Sequence, residues 1–470
     1  MQYGSDKKRQ VMYRLLVMVA CTFLSIGCSK EGDNGYVAIE TDPGRINAGG
    51  ETTVFLTSSN AFSTPSPALS GTELDQHLDG DFQFEAAFVT APAQVNGGIG
   101  PIFNNSSCVS CHPRDGRSRF PADINGLSGF FLRASVPGQD GFGGAVPLPG
   151  FGTQIQNQAI FGYEAEARFE VTYTPLVETL ADGSSVTLQQ PIYTIIDSYI
   201  EIPSNVLFSP RLAPPVFGLG LLEAIPEATL LTHEDINDSD GDGISGKANY
   251  VYDIETQTMQ IGRFGWKANT SSILEQCVAA YNHDMGITTS FFPKETGHGQ
   301  ANGDDGLGDD PELSDEIVEQ VVFYCKTLGV PAARGIDQAT VQKGEQLFSS
   351  IACASCHIPK MQTGPSSIPG LGNQTIYPYT DLLLHDMGEG LADHRPDYLA
   401  DGNEWKTRPL WGIGLTQVVN GHMDLLHDGR AKNITEAILW HGGEAEASKQ
   451  AFKELSATDR NALLAFINSL

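Results

Sequence analysis

The sequence predicts a mainly α chain built from two related domains, with a β-hairpin and loop-rich insertions in the first. Three observations carry that expectation. Apolar residues recur at helical spacing over Ser272–Tyr281, Pro311–Leu328, Asp337–Phe348, Ile434–Trp440 and Ala457–Leu470. A pattern occurs twice, at Phe103–His112 (FNNSSCVSCH) and Phe348–His357 (FSSIACASCH), with Phe five residues before the first Cys in both. A shorter echo occurs in the same order, HDMG at His283–Gly286 and again at His385–Gly388. A chain of 470 residues has room for two or three domains. The expected division is a signal over 1–27, a tether and N-terminal strand over 28–75, a first domain over 76–335 and a second over 336–470.

At the N-terminus Lys7, Lys8, Arg9 and Arg14 precede an apolar run from Leu15 to Ile26, too short to span a bilayer, which ends at Gly27-Cys28. The pattern resembles a bacterial lipoprotein signal, cleaved before Cys28 with lipid carried on that thiol; an ordinary secretory signal is the alternative. No later segment approaches 18 continuous apolar residues, so lipid is the only membrane attachment expected. The expected location is the cell envelope, anchored to the outer membrane and facing the periplasm. Residues 29–75 are rich in Gly, Ser, Thr, Pro and Asp, which reads as a tether with a short strand at Glu51–Leu56. Residues 120–160 are Gly/Pro-rich and read as loop. Residues 168–202 alternate apolar and polar about Asp182-Gly183, which reads as a hairpin inserted in the first domain.

Charge narrows the partners. With 28 Lys+Arg against 57 Asp+Glu and a net charge of -29, the chain has no cation excess to displace phosphate counterions, which excludes nucleic acid as a partner. The same acidity suits a partner with a basic docking patch. An apolar content of 40% excludes a disordered chain. Eight Cys are too few for a disulfide-built scaffold.

Their spacing decides the chemistry. Cys-x-x-Cys-His is the c-type haem attachment signature: the thiols form thioethers with the haem vinyl groups, and the adjacent His becomes an axial iron ligand. A zinc knuckle needs four close ligands, and a redox dithiol does not need the His. Two covalently bound c haems are expected, on Cys108, Cys111 and His112 and on Cys353, Cys356 and His357, which makes the two domains cytochrome c-like. Cys21 leaves with the signal and Cys28 is the lipid site. Cys277 and Cys325 remain, either as a disulfide or as two buried thiols. Asp238, Asp240 and Asp242 have the 1, 3, 5 spacing of a calcium loop, with Gly243 at position six, but Asn249 stands at position twelve where Glu is usual. Calcium there competes with an acidic solvated turn. Asn302–Asp315 (NGDDGLGDDPELSD) reads as a solvated loop leading into a helix.

Beyond the haem motifs, the segments GLGLLEAIPE, DGDGISGKAN, RFGWKA, DLLLHDMGEGLAD, EWKTRPLWGIG and LLHDGRAKNITEAILWHGGEA resemble the bacterial di-haem cytochrome c peroxidase superfamily. Within it the chain is most similar to the di-haem oxidoreductase family, also labelled thiol-oxidoreductase-like, from about Gly49 to the end. The resemblance implies that Trp266 lies between the haems and that Gln276 and Asp284 line a peroxide pocket at the N-terminal haem. Asp284 stands where that superfamily has Glu, and Arg263 precedes the Trp instead of following it. Counting from Leu426-His427-Asp428-Gly429, the slot of the distal ligand of the C-terminal haem falls on His441, with Met387 the competing candidate. Trp405, Trp411 and Trp440 read as haem-pocket packing; His385, His422 and His427 have no assigned role. The implied function is reduction of peroxide or another small oxidant at the N-terminal haem. Electrons would come through the C-terminal haem from a small soluble donor of cytochrome c or cupredoxin type. A non-catalytic electron-transfer lipoprotein and a di-haem oxygenase acting on an organic or protein substrate stay open.

Overall fold

The computed structural model describes residues 41–470, so the expected signal and Cys28 lie outside the described residues. Helix accounts for 28% and strand for 20%. Among the described residues the strands are spread over seven small sheets, six two-stranded and one three-stranded. The expectation of a mainly α chain made of two repeated cytochrome c-like domains is therefore corrected. The reason is long-range pairing. Strand β1 (Phe130–Gln139), inside the stretch read as loop, pairs antiparallel with β4 (Leu207–Leu212), its partner lying far along the chain where local periodicity carries no signal of it. Between them the expected hairpin is present as β2 (Ala167–Thr179) and β3 (Ser185–Ser198). Its turn has Gly183 at φ +82°, a conformation glycine adopts without a Cβ penalty.

The hairpin reaches across to the C-terminal part of the chain. Ala181 N–H donates to the Lys453 carbonyl at 2.9 Å, Lys453 pairs with Glu178 at 2.6 Å, and Arg460 pairs with Asp182. Residues 43–69, read as tether, are packed: Ala61 and Phe62 are fully buried, and Thr53–Val54 pairs in parallel with Val330–Pro331. No described helix is long and apolar enough to cross a membrane.

Two helix crossings position the haem motifs. Helix α1 (Thr72–Glu85) is followed by the short turn α2 (Cys108–Cys111) and by α3 (Ile273–Met285). Ser272 caps α3 by accepting the Glu275 N–H at 3.1 Å, and Gly286 ends it at φ +69°. Helix α4 (Asp315–Thr327) crosses α1 at Gly80, where a Cβ would overlap the Gln320 carbonyl oxygen. The second half contains α5 (Ala339–Ser350), α6 (Ile434–Trp440) and α7 (Ala457–Ser469), and α5 crosses α7 at Gly344, where a Cβ would overlap the Ala462 carbonyl oxygen.

One turn beyond each glycine, on the same face, stands a Phe. Phe84 packs on Tyr324 (centroids 5.1 Å) and on His112 (6.3 Å). Phe348 packs on Phe466 (5.3 Å) and on His357 (6.2 Å). The structural counterpart of Phe348 is thus Phe84. Phe103, matched to Phe348 by sequence, lies in a two-residue strand paired with Gln158–Ala159. The HDMG echo has no structural counterpart either: the first copy ends α3, whereas the second begins in strand β5 (Leu384–Asp386).

Candidate functional site

Each Cys-x-x-Cys-His is a tight turn that ends in a tethered imidazole. Ser107 caps the first turn, its Oγ accepting the Ser110 N–H at 3.3 Å. His112 Nδ1–H then donates to the Pro214 carbonyl at 2.7 Å. In the second turn His357 Nδ1–H donates to the Tyr379 carbonyl at 3.0 Å. His441, at the end of α6, does the same to the Ala437 carbonyl at 2.7 Å. Since a carbonyl only accepts, each bond puts the proton on Nδ1 and leaves the Nε2 lone pair free, the tautomer that a metal ligand requires. Among the described residues these three are the imidazoles tied in this way. Burial lowers His112 and His357 to about 4, so both rings are neutral at pH 7.

His385 is different. Its Nε2 meets Asp381 at 2.8 Å and its Nδ1 meets Glu444 at 2.7 Å, so neither nitrogen is free for iron. Burial also raises the thiols of Cys108, Cys111 and Cys356, and pushes Cys353 up to about 12. A redox dithiol works through a lowered thiol pKa, which these pairs lack.

A cavity of about 270 Å³ lies beside the second motif, lined by Cys353, Cys356, His357, His441, Met387 and Trp266. His441 and Met387, the two candidate distal ligands, both reach it. Arg117, Lys406 and Arg408 also line it, and none has a carboxylate partner among the described residues. Arg117 donates to the Leu426 carbonyl at 2.8 Å and Lys406 to the Arg263 carbonyl at 2.5 Å. Burial lowers Arg117 to about 9 and Arg408 to about 10. Asp424 and Asp428 offset Arg117 from a distance, whereas Lys406 and Arg408 have no such counter-charge; buried cations of this kind are costly, and an anion in the cavity relieves them. The propionate carboxylates of a haem supply that charge, so the residues present fit the group. Trp266 lies beneath both guanidiniums, at 5.1 Å from Arg117 and 5.0 Å from Arg408, and its Nε1–H donates to the Leu212 carbonyl at 3.0 Å.

The first motif adjoins a cluster of buried polar side chains. The Asp284 carbonyl, at the end of α3, accepts the Asn104 and Asn105 N–H groups at 2.8 and 3.1 Å, just ahead of Cys108. Its carboxylate accepts from Gln154 Nε2 at 2.8 Å. Burial raises Asp284 above the usual carboxylate range, against the pull of Arg133 and of the Gln154 hydrogen bond. Arg133 reaches His283 Nδ1 at 3.3 Å, and Gln156 Nε2 donates to the His283 carbonyl at 2.6 Å. The Oε1 atoms of Gln154 and Gln156 and the Tyr281 hydroxyl are buried without partners. A polar molecule at this cluster would satisfy them.

Gln276, expected beside Asp284, is not brought there. It sits two turns earlier on α3, about 12 Å along the axis, and accepts from Thr270 Oγ1 at 2.9 Å. Gln154 is the glutamine that reaches the Asp284 carboxylate, with Arg133 and Gln156 beside it. Sequence reasoning missed all three because they fall in the stretch read as loop. The available signal was polar residues interrupting apolar ones, in FFLRAS and TQIQNQ.

The acidic loop is also rearranged. Oxygens of Asp238 and Asp240 converge with one from Asp235, within 4.8 Å of one another. Asp242 instead accepts the Ile244 N–H at 2.9 Å. Asn249 is fully buried and donates to the Lys267 and Asp397 carbonyls. Cys277 and Cys325 are free thiols in contact between α3 and α4.

No curated protein and no solved structure matches the chain. Residues 44–470 match the family described as "Di-haem oxidoreductase, putative peroxidase", and the chain belongs to that family.

Proposed function

We propose that the chain is a di-haem c-type peroxidase, in which peroxide is reduced in the pocket beside His112 and electrons arrive through the site beside His357. The observation that carries this reading is the set of three imidazoles with Nδ1 on backbone carbonyls, two of them inside Cys-x-x-Cys-His turns. When bound, the haems supply the iron and the electrons. The chain's own residues do the rest. Cys108, Cys111, Cys353 and Cys356 hold the groups covalently, and His112, His357 and His441 turn Nε2 toward them. Asp284, its carboxyl raised by burial, would as the carboxylate take a proton from one peroxide oxygen and give it to the other, as a general acid/base does. Gln154 fixes the Asp284 carboxyl by a hydrogen bond. Arg133 offsets the negative charge that develops when the O–O bond breaks. Trp266, in contact with two guanidiniums at the second cavity, stands on the route proposed for the electrons.

The setting belongs to the same proposal. Lipid on Cys28 would hold the protein at the outer membrane, facing the periplasm; Lys7–Arg14 and the short apolar run after them support this. The net charge of -29 supports a small, basic, soluble electron donor. Optical and EPR spectra with and without peroxide test the reading. A high-spin ferric signal that peroxide abolishes is expected, together with loss of peroxide turnover in Asp284→Ala. Two low-spin irons indifferent to peroxide would replace the proposal with a pure electron carrier.

A further inference from the structure

The long loop between α3 and α4, residues 286–314, brings together three carboxylates that the peroxidase reading does not use. Oxygens of Glu295, Asp310 and Glu312 lie within 4.8 Å of one another. Glu295 is 6% exposed, and its Oε2 is buried with no hydrogen-bond partner. Glu312 is fixed by Thr288, whose N–H and Oγ1 donate to Oε2 at 2.8 and 3.0 Å. Asp310 Oδ1 shares that hydroxyl's single proton, at 2.7 Å. The contact of His298 with Asp304 on this loop, at 3.7 Å, involves none of the three. One threonine thus organises two carboxylates from one side while a third, from a buried residue, faces them without a partner.

We propose that Glu295, Asp310 and Glu312 form a calcium site that ties this loop together. The donors are all oxygen, with no nitrogen or sulfur to select a softer metal. They come from an irregular loop, which suits the flexible coordination of calcium better than the strict octahedron of magnesium. Without a cation the Glu295 Oε2 atom is buried with no partner, beside two further carboxylates.

The site has a bearing on the pocket. The same loop carries Phe292, whose ring lies edge-on to His283 at 5.5 Å, and the Lys294 carbonyl, which accepts from Asn282 Nδ2 at 2.9 Å. A bound cation would brace the wall next to Asp284. The proposal stands whether or not peroxide is the substrate.

The test is calorimetric titration of the chelator-treated, full-length holoprotein with calcium chloride, repeated with magnesium chloride. Glu295→Gln and Asp310→Asn should each weaken calcium binding by about tenfold or more, since each removes an ionic donor. Asp238→Asn, in the other acidic loop, should leave that binding event in place. The haem absorption spectrum reports folding; if Glu295→Gln does not fold, the exposed Asp310→Asn decides. No calcium uptake by the wild type, tighter binding of magnesium, or unchanged calcium affinity in folded Asp310→Asn would overturn the proposal.

Discussion

Gln154 and Gln276 offer two glutamines for one chemical role, and their hydrogen bonds separate them. Gln154 donates to the Asp284 carboxylate, whereas Gln276 is occupied by Thr270. Gln154→Leu should therefore lower peroxide turnover by about tenfold or more, by releasing the acid/base group. Gln276→Leu should change it by less than about twofold on the same principle. Steady-state rates on both variants check this, and equal losses would return Gln276 to the pocket. At the second cavity His441 carries the ligand tautomer, and imidazole holds a haem potential below that of a Met ligand. A redox titration should therefore find the C-terminal couple well below a His/Met cytochrome, and His441→Met should raise it. At this scale the covalent chemistry was legible, because Cys-x-x-Cys-His is a local pattern. The pocket was not, since Arg133 and Gln154 reach Asp284 from another part of the chain.

Elements repeat where sequence does not. The Gly80 crossing with its Phe84 and the Gly344 crossing with its Phe348 are the same device. The longer connection from α1 to its motif hid the match and put Phe103 in the place of Phe84. Helix α1 itself gave little signal, since only His77, Gly80 and Phe84 turn inward from a polar sequence. The five helices read from apolar periodicity and the Asp182-Gly183 hairpin were legible because their patterns are local. The β1–β4 pair was not, because its two strands are far apart in the chain. Gly344→Ala should cost roughly 1–3 kcal/mol, the usual penalty of overpacking, read as a lower urea midpoint.

The α3–α4 loop gives a pH-dependent counterpart. Folding raises Glu295 to about 9 and Glu312 to about 7, so their contribution is fully present below the ordinary carboxylate range. It is lost as pH rises through those values, because the unfolded chain releases the protons more readily. Stability of the chelated protein should fall between pH 5 and pH 9 for this reason, and calcium should flatten the decline; urea midpoints at both pH values, with and without calcium, check it.

Across the whole molecule, on the proposed function, charge would govern the encounter with a donor, and the fold would govern the passage of electrons after it. With a net charge of -29, reduction by a small basic donor should slow as salt is added, because screening shortens the reach of the attraction. Stopped-flow rates at low and high ionic strength measure this, and a salt-independent rate would remove the electrostatic partner. The acidic character was plain from composition. Composition could not show how tightly the two attachment sites are laced together. The stretch of chain leaving His112 is bound directly to residues 419–428: Arg114 donates to the Val419 carbonyl at 3.1 Å, Asn420 to the Pro113 carbonyl at 2.8 Å, and Phe120 N–H to Asp424 at 2.8 Å. Electron tunnelling falls off steeply with distance, and a hinge between the halves could serve as its throttle. Here such a hinge would first have to tear those bonds and the hairpin's grip on Lys453 and Arg460. On the proposed route the tunnelling distance would therefore be set when the chain folds, leaving driving force and iron ligation to regulate the current.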